Sequence, residues 1–275
     1  MAIEPPTTTD EEVSALTGAI RYESLTRRHP EYYEDFWSRS RALYQGGMHL
    51  LENDDVMSKV FPKQVGENDN VYAMRKQMAH YTNHAGSIIN HLLGKLTTDP
   101  VRLEADPKLD SFYEDWLEDC SAPNGPEVDL NELVCRLMLT AAQCQTAYAL
   151  VEMPNNLDSE AKSLAEQEER GDLSAWRVEV APESVVSWET DKAGEYLWVL
   201  LCFKSCRRET IFDSRDTVHE EYWLYTKVGW VRWDIRYRQG EPPKGKEVFM
   251  PTDMGTHSFG KVPLARLRLP DGLGS

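Results

Sequence analysis

The stretch "GWVRWDIRYR", residues 229–238, determines which class of fold this chain can adopt. Apolar residues occupy alternate positions and charged residues fill the positions between: Val231, Trp233, Ile235, Tyr237, and Arg232, Asp234, Arg236, Arg238. Successive side chains of a strand point to opposite faces, so this alternation is typical of a half-buried antiparallel strand. The same character recurs in "WRVEVA" (176–181), "SVVSWET" (184–190), "EYLWVLLCFK" (195–204) and "EEYWLYT" (220–226). Residues 176–275 are therefore predicted to be β-rich.

Upstream of residue 154 the apolar residues recur mainly at helical spacing. A helix is predicted to start at Pro30 and to end at Gly46-Gly47. Apolar residues then step by three or four from Val71 to Leu96, which predicts one long helix over residues 69–96. An amphipathic helix is predicted over 107–119. Another follows a cap at Asp129, before a buried strand in "AYALVEMP" (147–154).

These patterns predict an α+β fold in which a helical layer precedes an antiparallel β-rich region. Residues 1–28 are predicted to form a flexible arm, because they offer few apolar side chains to bury. The helical region spans 29–154 and the β-rich region 176–275. Between them, residues 155–175 are predicted to form an acidic surface insertion.

Composition narrows the function classes. The formal net charge of −16 disfavours tight DNA binding, because phosphates are repelled. There is no run of eighteen apolar residues, so no membrane span is expected. The polar start "MAIEPPTTTDEE" does not resemble a signal peptide. Five cysteines without a CxxC pair indicate reduced thiols.

Sequence motifs that would indicate an enzyme are missing: GxxxxGK[ST], GxGxxG, HExxH and GxSxG do not occur. No cofactor is therefore predicted, and no catalytic residue is assigned. The one suggestive cluster is "HYTNHAGSIINHLL" (80–93), which carries His80, His84 and His91. On one helix, His84 and His91 would be about 10 Å apart along the axis, too far to share an ion.

Two interpretations of these histidines remain open. His80 and His84 could chelate a divalent metal one helical turn apart, if a carboxylate or cysteine elsewhere completed the site. Alternatively, the histidines form a polar border beside the apolar stripe, against a neighbouring subunit. We favour the border.

Other charged groups admit similar alternatives. The acidic side of the predicted helix over 107–119 is interpreted as a solvent-facing or duct-lining surface, since it lacks the spacing of an EF-hand; its members are Asp110, Glu114, Asp115, Glu118 and Asp119. The pair Arg207-Arg208 and the arginines of 232–238 could contact nucleic acid. In so acidic a chain we expect them to pair with carboxylates, across a sheet or a subunit interface.

The order of several segments resembles the portal (head–tail connector) proteins of tailed bacteriophages. The segments are "HPEYYEDFWSRSRALYQGG" (29–47), "YTNHAGSIINHLLGKLTTDPVRLE" (81–104), "LNELVCRLMLTAAQCQTAYALVEMP" (130–154) and "WRVEVAPESVVSWETDKAGEYLWVLL" (176–201). The chain departs from the family at Gln145-Thr146, where a Gly-Arg pair is usual. Stem, clip, tunnel loop and crown would follow a segment like "KVPLARLRLPDG" (261–272), so the resemblance covers the wing region alone.

This resemblance implies a structural subunit and not an enzyme. It implies a ring of twelve copies at one capsid vertex of the virion, assembled in the host cytoplasm. The implied partners are further copies of the chain, capsid protein, terminase and a head–tail adaptor. Double-stranded DNA would pass through the ring without sequence-specific binding, and no membrane is involved. The alternatives are a metal-dependent enzyme using His80 and His84, or an acidic adaptor that binds basic partners.

Overall fold

A computed structural model describes residues 19–47, 50, 54–100, 118–120, 127–152, 175–208, 216–257 and 259–269. In these ranges α-helices are combined with antiparallel sheets, so the predicted α+β class is confirmed. The chain divides into two compact units. Of the described residues, those within 19–32 and 183–264 belong to the sheet unit, and those within 33–152, 175–182 and 265–269 belong to the helical unit. Among the described residues, no helix has the length and apolar character needed to cross a bilayer.

Six α-helices have both ends in the described ranges: α1 Tyr22–Leu25, α2 Glu34–Gln45, α3 Asp54–Val60, α4 Asp69–Gln77, α5 His84–Leu96 and α6 Leu130–Cys144. The strands are β1 Ile20–Arg21, β2 Thr146–Glu152, β3 Trp176–Val180, β4 Val185–Thr190, β5 Tyr196–Arg207, β6 Thr217–Thr226, β7 Gly229–Arg238, β8 Val248–Phe249, β9 Asp253–Thr256 and β10 Leu264–Arg268. The predicted strands of residues 147–238 are thus confirmed.

The sheet unit is built on a five-stranded antiparallel sheet of order β4-β5-β6-β7-β9. Alternation along β7 is as the sequence predicts: Val231, Trp233 and Ile235 are buried, and the residues between them are more exposed. In the register, Tyr222 of β6 stands between Cys202 of β5 and Trp233 of β7. These inward positions form the core on one face of the sheet.

The end of the predicted N-terminal arm belongs to this core. Ile20 pairs with Phe249 through β1 and β8, and α1 follows at once. Tyr22 and Leu25 are buried against the inward face of the sheet. The expectation that this stretch has little apolar surface to bury is therefore wrong for residues 20–25, because two large side chains suffice to anchor so short a segment. Residues 1–18 of the predicted arm lie outside the described residues.

The helical unit centres on α6, which contacts α2, α5 and β2. Its predicted N-terminal cap is confirmed, because the Asp129 carboxylate accepts a hydrogen bond of 2.7 Å from the backbone N–H of Glu132. At its other end Gln145 adopts a left-handed conformation with φ 63°. This is the backbone conformation that glycine favours, and Gln145 adopts it at the end of the helix. β2 then lies in the three-stranded sheet β10-β2-β3.

Helix α2 begins later than predicted. It starts at Glu34 and not at Pro30, because residues 29–32 form a turn closed by the bond from Tyr32 N–H to the His29 carbonyl. Glu34 and Asp35 place negative charge in the first turn, where the helix dipole favours it. The predicted end is confirmed. Gly46 caps the helix with φ 62°, and its N–H donates to the Ala42 carbonyl.

The single long helix predicted over residues 69–96 is wrong: α4 ends at Gln77 and α5 begins at His84. The cause is Asn83, whose side chain accepts from Gly86 N–H at 2.8 Å and donates to the Tyr44 carbonyl at 2.6 Å. A side chain that caps a new helix stops the old one from continuing. Gly86 is required here, since an added Cβ would come within 2.9 Å of the Tyr44 carbonyl.

Candidate functional site

The three histidines do not form the arrangement on which the metal alternative depends. His80 precedes α5 and belongs to no helix, whereas His84 and His91 lie on α5. The four-residue spacing of His80 and His84 is therefore not one helical turn. All three side chains are exposed. In the described ranges, no group of three or more His, Cys, Asp or Glu side chains is placed to hold a metal ion.

Most of the predicted acidic face lies outside the described residues, including Asp110, Glu114 and Asp115. Glu118 and Asp119 are described, and both are exposed. The Asp119 carboxylate accepts a long hydrogen bond of 3.5 Å from Val128 N–H. The duct-lining role of this face stays a prediction.

The most elaborate polar site in the described residues surrounds Glu220, which lies on the inward face of β6 and is 5% exposed. Its Oε1 accepts hydrogen bonds from Tyr237 Oη at 2.6 Å and Lys204 Nζ at 2.9 Å. Its Oε2 accepts from Tyr22 Oη at 2.9 Å and Tyr222 Oη at 3.1 Å. Four donors on two oxygens occupy the accepting positions of a carboxylate. Burial of this charge is thus compensated by hydrogen bonds and one cation.

The electrostatics of the site follow from those contacts. Burial alone would raise the pKa of Glu220, but the hydrogen bonds from Tyr237, Lys204 and Tyr22 outweigh it and lower the pKa. Burial raises the pKa of Tyr222 and, together with the hydrogen bond to Glu220, that of Tyr22. Burial opposes the charge of Lys204, yet its bonds to Glu220 and Tyr237 raise its pKa. The site therefore holds an ionised carboxylate among protonated phenols.

We call this arrangement the Glu220 clamp, because four donors of the same unit engage both carboxylate oxygens. A general acid needs a carboxyl group with a raised pKa, and a lowered pKa is the opposite. What the clamp does is fasten α1, through Tyr22, to strands β5, β6 and β7. Sequence reasoning missed it. The available signal was an acidic residue at an inward position of an otherwise apolar alternation, Val218-Glu220-Tyr222-Leu224.

The clamp predicts how stability depends on pH. Because the folded pKa of Glu220 lies below its ordinary value of 4.5, its stabilisation is present above that pH and is lost as the pH falls through the folded pKa. Glu67 acts in the same direction, since its hydrogen bond with Arg75 lowers its pKa to about 2. We expect the free energy of unfolding, measured by urea titration, to fall steadily below pH 4.5. Glu220→Gln should reduce this slope, and an unchanged slope would contradict the assignment.

A second buried polar contact ties β3 to the segment preceding α6. Arg177 is 7% exposed; its Nε donates to Cys120 Sγ at 3.1 Å, and its Nη2 donates to the carbonyls of Val128 and Asp129 at 3.4 and 3.3 Å. Burial lowers the pKa of Arg177 and raises that of Cys120. The thiol is therefore held protonated, which is the form with low nucleophilicity. We assign this contact a role in folding.

Helix α5 carries exposed apolar side chains at regular spacing. Ile88, Leu92 and Leu96 repeat every four residues and are 59%, 55% and 66% exposed. We call these three residues the aliphatic stripe. His84, His91 and Lys95 lie beside the stripe, within about 40° of one another around the helix axis. His84 and His91 thus stand beside the apolar stripe, as the favoured interpretation expects, whereas His80 lies outside the helix. That they border a contact with a neighbouring subunit stays a prediction.

Helix α4 shows a related surface. Val71, Met74 and Met78 are 55%, 62% and 79% exposed, and with Phe61 and Ala79 they line an open apolar groove of about 520 Å³. Arg75 and Lys76 on the same helix are neutralised by ion pairs with Glu67 and Asp54. Both segments therefore expose large apolar side chains to water. Exposed apolar surfaces of this kind are typical of sites that bind another protein.

Neither a scan against protein-family models nor a search of curated proteins found a match to this chain.

Proposed function

We propose that this protein is a structural subunit of a phage portal ring, through which DNA is packaged and ejected. The observation that carries the proposal is the aliphatic stripe of α5. Three large side chains, each more than half exposed, are costly to leave in water and are expected to be covered by another subunit. The border of His84, His91 and Lys95 gives such a contact a polar rim.

Two further observations support the proposal. The helices α2 to α6 precede the strands β3 to β9, which is the order implied by the resemblance to portal wing regions. The net charge of −16 suits a wall around moving DNA, because a negative surface does not retain phosphates. The buried polar groups around Glu220 and Arg177 form hydrogen bonds within the chain. This is expected in a protein that acts through its shape.

Light scattering coupled to size-exclusion chromatography tests the proposal, together with negative-stain imaging. Twelve copies of the 31.5 kDa chain would have a mass of about 380 kDa and would appear as rings with a central opening. Capsid protein, terminase and a head–tail adaptor are the partners to be tested next. A chain that remains at 31.5 kDa at all concentrations would overturn the proposal.

A further inference from the structure

The second face of the five-stranded sheet carries an unusual group of cations at one end. Direct partners in the register share a face, and they place Ser205, His219 and Arg236 in one row across β5, β6 and β7. The next row contains Arg207, Thr217 and Arg238. We call Arg207, Arg236 and Arg238 the arginine face. All three side chains are exposed.

These arginines differ from their neighbours in their ion pairing with the described part of the chain. Arg208 pairs with Asp216 at 3.2 Å, and Arg232 pairs with Asp234 at 2.8 Å and with Glu221 at 3.4 Å. In the ranges that the structure describes, no carboxylate forms an ion pair with any member of the arginine face. The predicted pairing with carboxylates is therefore confirmed for Arg208 and Arg232, whereas the three members of the arginine face have no carboxylate partner among the described residues.

The spacing of the arginine face suits several anionic groups at once. Arg236 and Arg238 are two residues apart on one strand, about 7 Å, and Arg207 is two strands away from Arg238, about 10 Å. Each guanidinium can form a bidentate pair with a carboxylate or a phosphate. Backbone hydrogen bonds of β5, β6 and β7 hold the three positions in a fixed arrangement.

The net charge of the chain determines whether the arginine face binds phosphates or carboxylates. A DNA duplex that reached the arginine face would also approach the rest of a chain whose formal net charge is −16, and three phosphate contacts give weak binding. A second copy of the chain offers abundant carboxylates, and its negative net charge is complementary to the positive charge of the arginine face. We propose that the arginine face binds carboxylates of a neighbouring copy.

Like-charge repulsion determines which two surfaces can meet in this contact. Two arginine faces brought together would oppose each other, so the face of one copy must meet a different, acidic surface of the next. A contact between unlike surfaces is heterologous, and its repetition closes into a ring when the rotation permits. The inference thus deepens the proposed function and rests on it.

The test is Arg236→Glu combined with Arg238→Glu. We expect the concentration at half-assembly, measured by light scattering, to rise about tenfold or more. Assembly of the wild type should weaken between about 50 and about 500 mM NaCl, and assembly of the variant should respond less to salt. In an equal mixture with wild type, the variant should produce open assemblies smaller than the ring, since it keeps its acidic surface.

The matched control is Lys192→Glu combined with Lys227→Glu, which changes the net charge equally at the opposite end of the same sheet. It should leave assembly within about twofold of wild type. A ring unaffected by the arginine variant would overturn the inference and leave the ring itself standing, whereas a monomeric wild type would overturn both. If the wild type instead retains short duplex DNA at physiological salt, and the variant loses that binding while assembling normally, the ligand is phosphate and the inference fails.

Discussion

Replacing Glu220 with glutamine is expected to lower the free energy of unfolding by about 2–3 kcal/mol. The carboxylate accepts four hydrogen bonds of 2.6–3.1 Å, and it is buried. Glutamine fits the same space, but its NH₂ group would face two donors and could accept from neither. Depending on its orientation, the NH₂ group would face either Tyr22 and Tyr222 or Tyr237 and Lys204. That pair of donors would lose its acceptor. Lys204 limits the loss, because its side chain is 54% exposed and can return to water.

Urea unfolding followed by tryptophan fluorescence measures this effect, since Trp233 lies in the same core. The control is Glu221→Gln, the next residue of β6, whose 39% exposed side chain points to the opposite face and pairs with Arg232. Surface ion pairs contribute little, so this variant should stay within about 0.5 kcal/mol of wild type. Equal effects of the two substitutions would show that the four hydrogen bonds do not stabilise the folded protein.

Replacing Ile88 and Leu92 together with glutamine is expected to weaken assembly by about ten- to a hundredfold per contact. Burying two aliphatic side chains that are more than half exposed in the single chain contributes roughly 1.5–3 kcal/mol, and glutamine would forfeit this. Glutamine is a good helix former, so α5 itself should persist. Light scattering over a range of concentrations, with unfolding measured in parallel, separates the effect on assembly from one on folding.

Val65→Gln is the control for that experiment. Val65 is an aliphatic residue on a turn, fully exposed and outside any helix. Its replacement removes a similar side chain without touching α4 or α5, and it should leave the assembly unchanged. If Val65→Gln and the α5 variant assemble alike, the aliphatic stripe is not a subunit contact, and the proposed ring loses its main support.

Local patterns in the sequence were sufficient to predict strands β4 to β7 of the sheet unit. Alternation along β7 fixes which side chains face the core, because the period of a strand is two and a shift of one residue would bury Arg232 and expose Trp233. The cap at Asp129 and the helix end at Gly46 were equally predictable, since both depend on residues within one turn. These features need no knowledge of distant partners.

Distant partners explain what could not be predicted. Tyr22 and Glu220 are 198 positions apart, so no window of sequence contains the clamp. The helix break at Asn83 was missed because apolar residues continue at helical spacing through the break, while the carbonyl of Tyr44 that orients Asn83 is contributed by α2. Periodicity also predicted an apolar face on α5 without specifying what covers it. An amphipathic pattern looks the same whether the cover is the same chain or another copy.

The alternation of β7 assigns different roles to the two faces of one strand. Odd-numbered positions such as Trp233 and Tyr237 serve the core and the clamp, while even-numbered positions such as Arg236 and Arg238 face outward. A lineage could therefore exchange its outward residues, and with them the chemistry offered to a neighbour, without altering the interior. The surface that binds a neighbour would then change while the fold stayed the same, within the ten residues of β7.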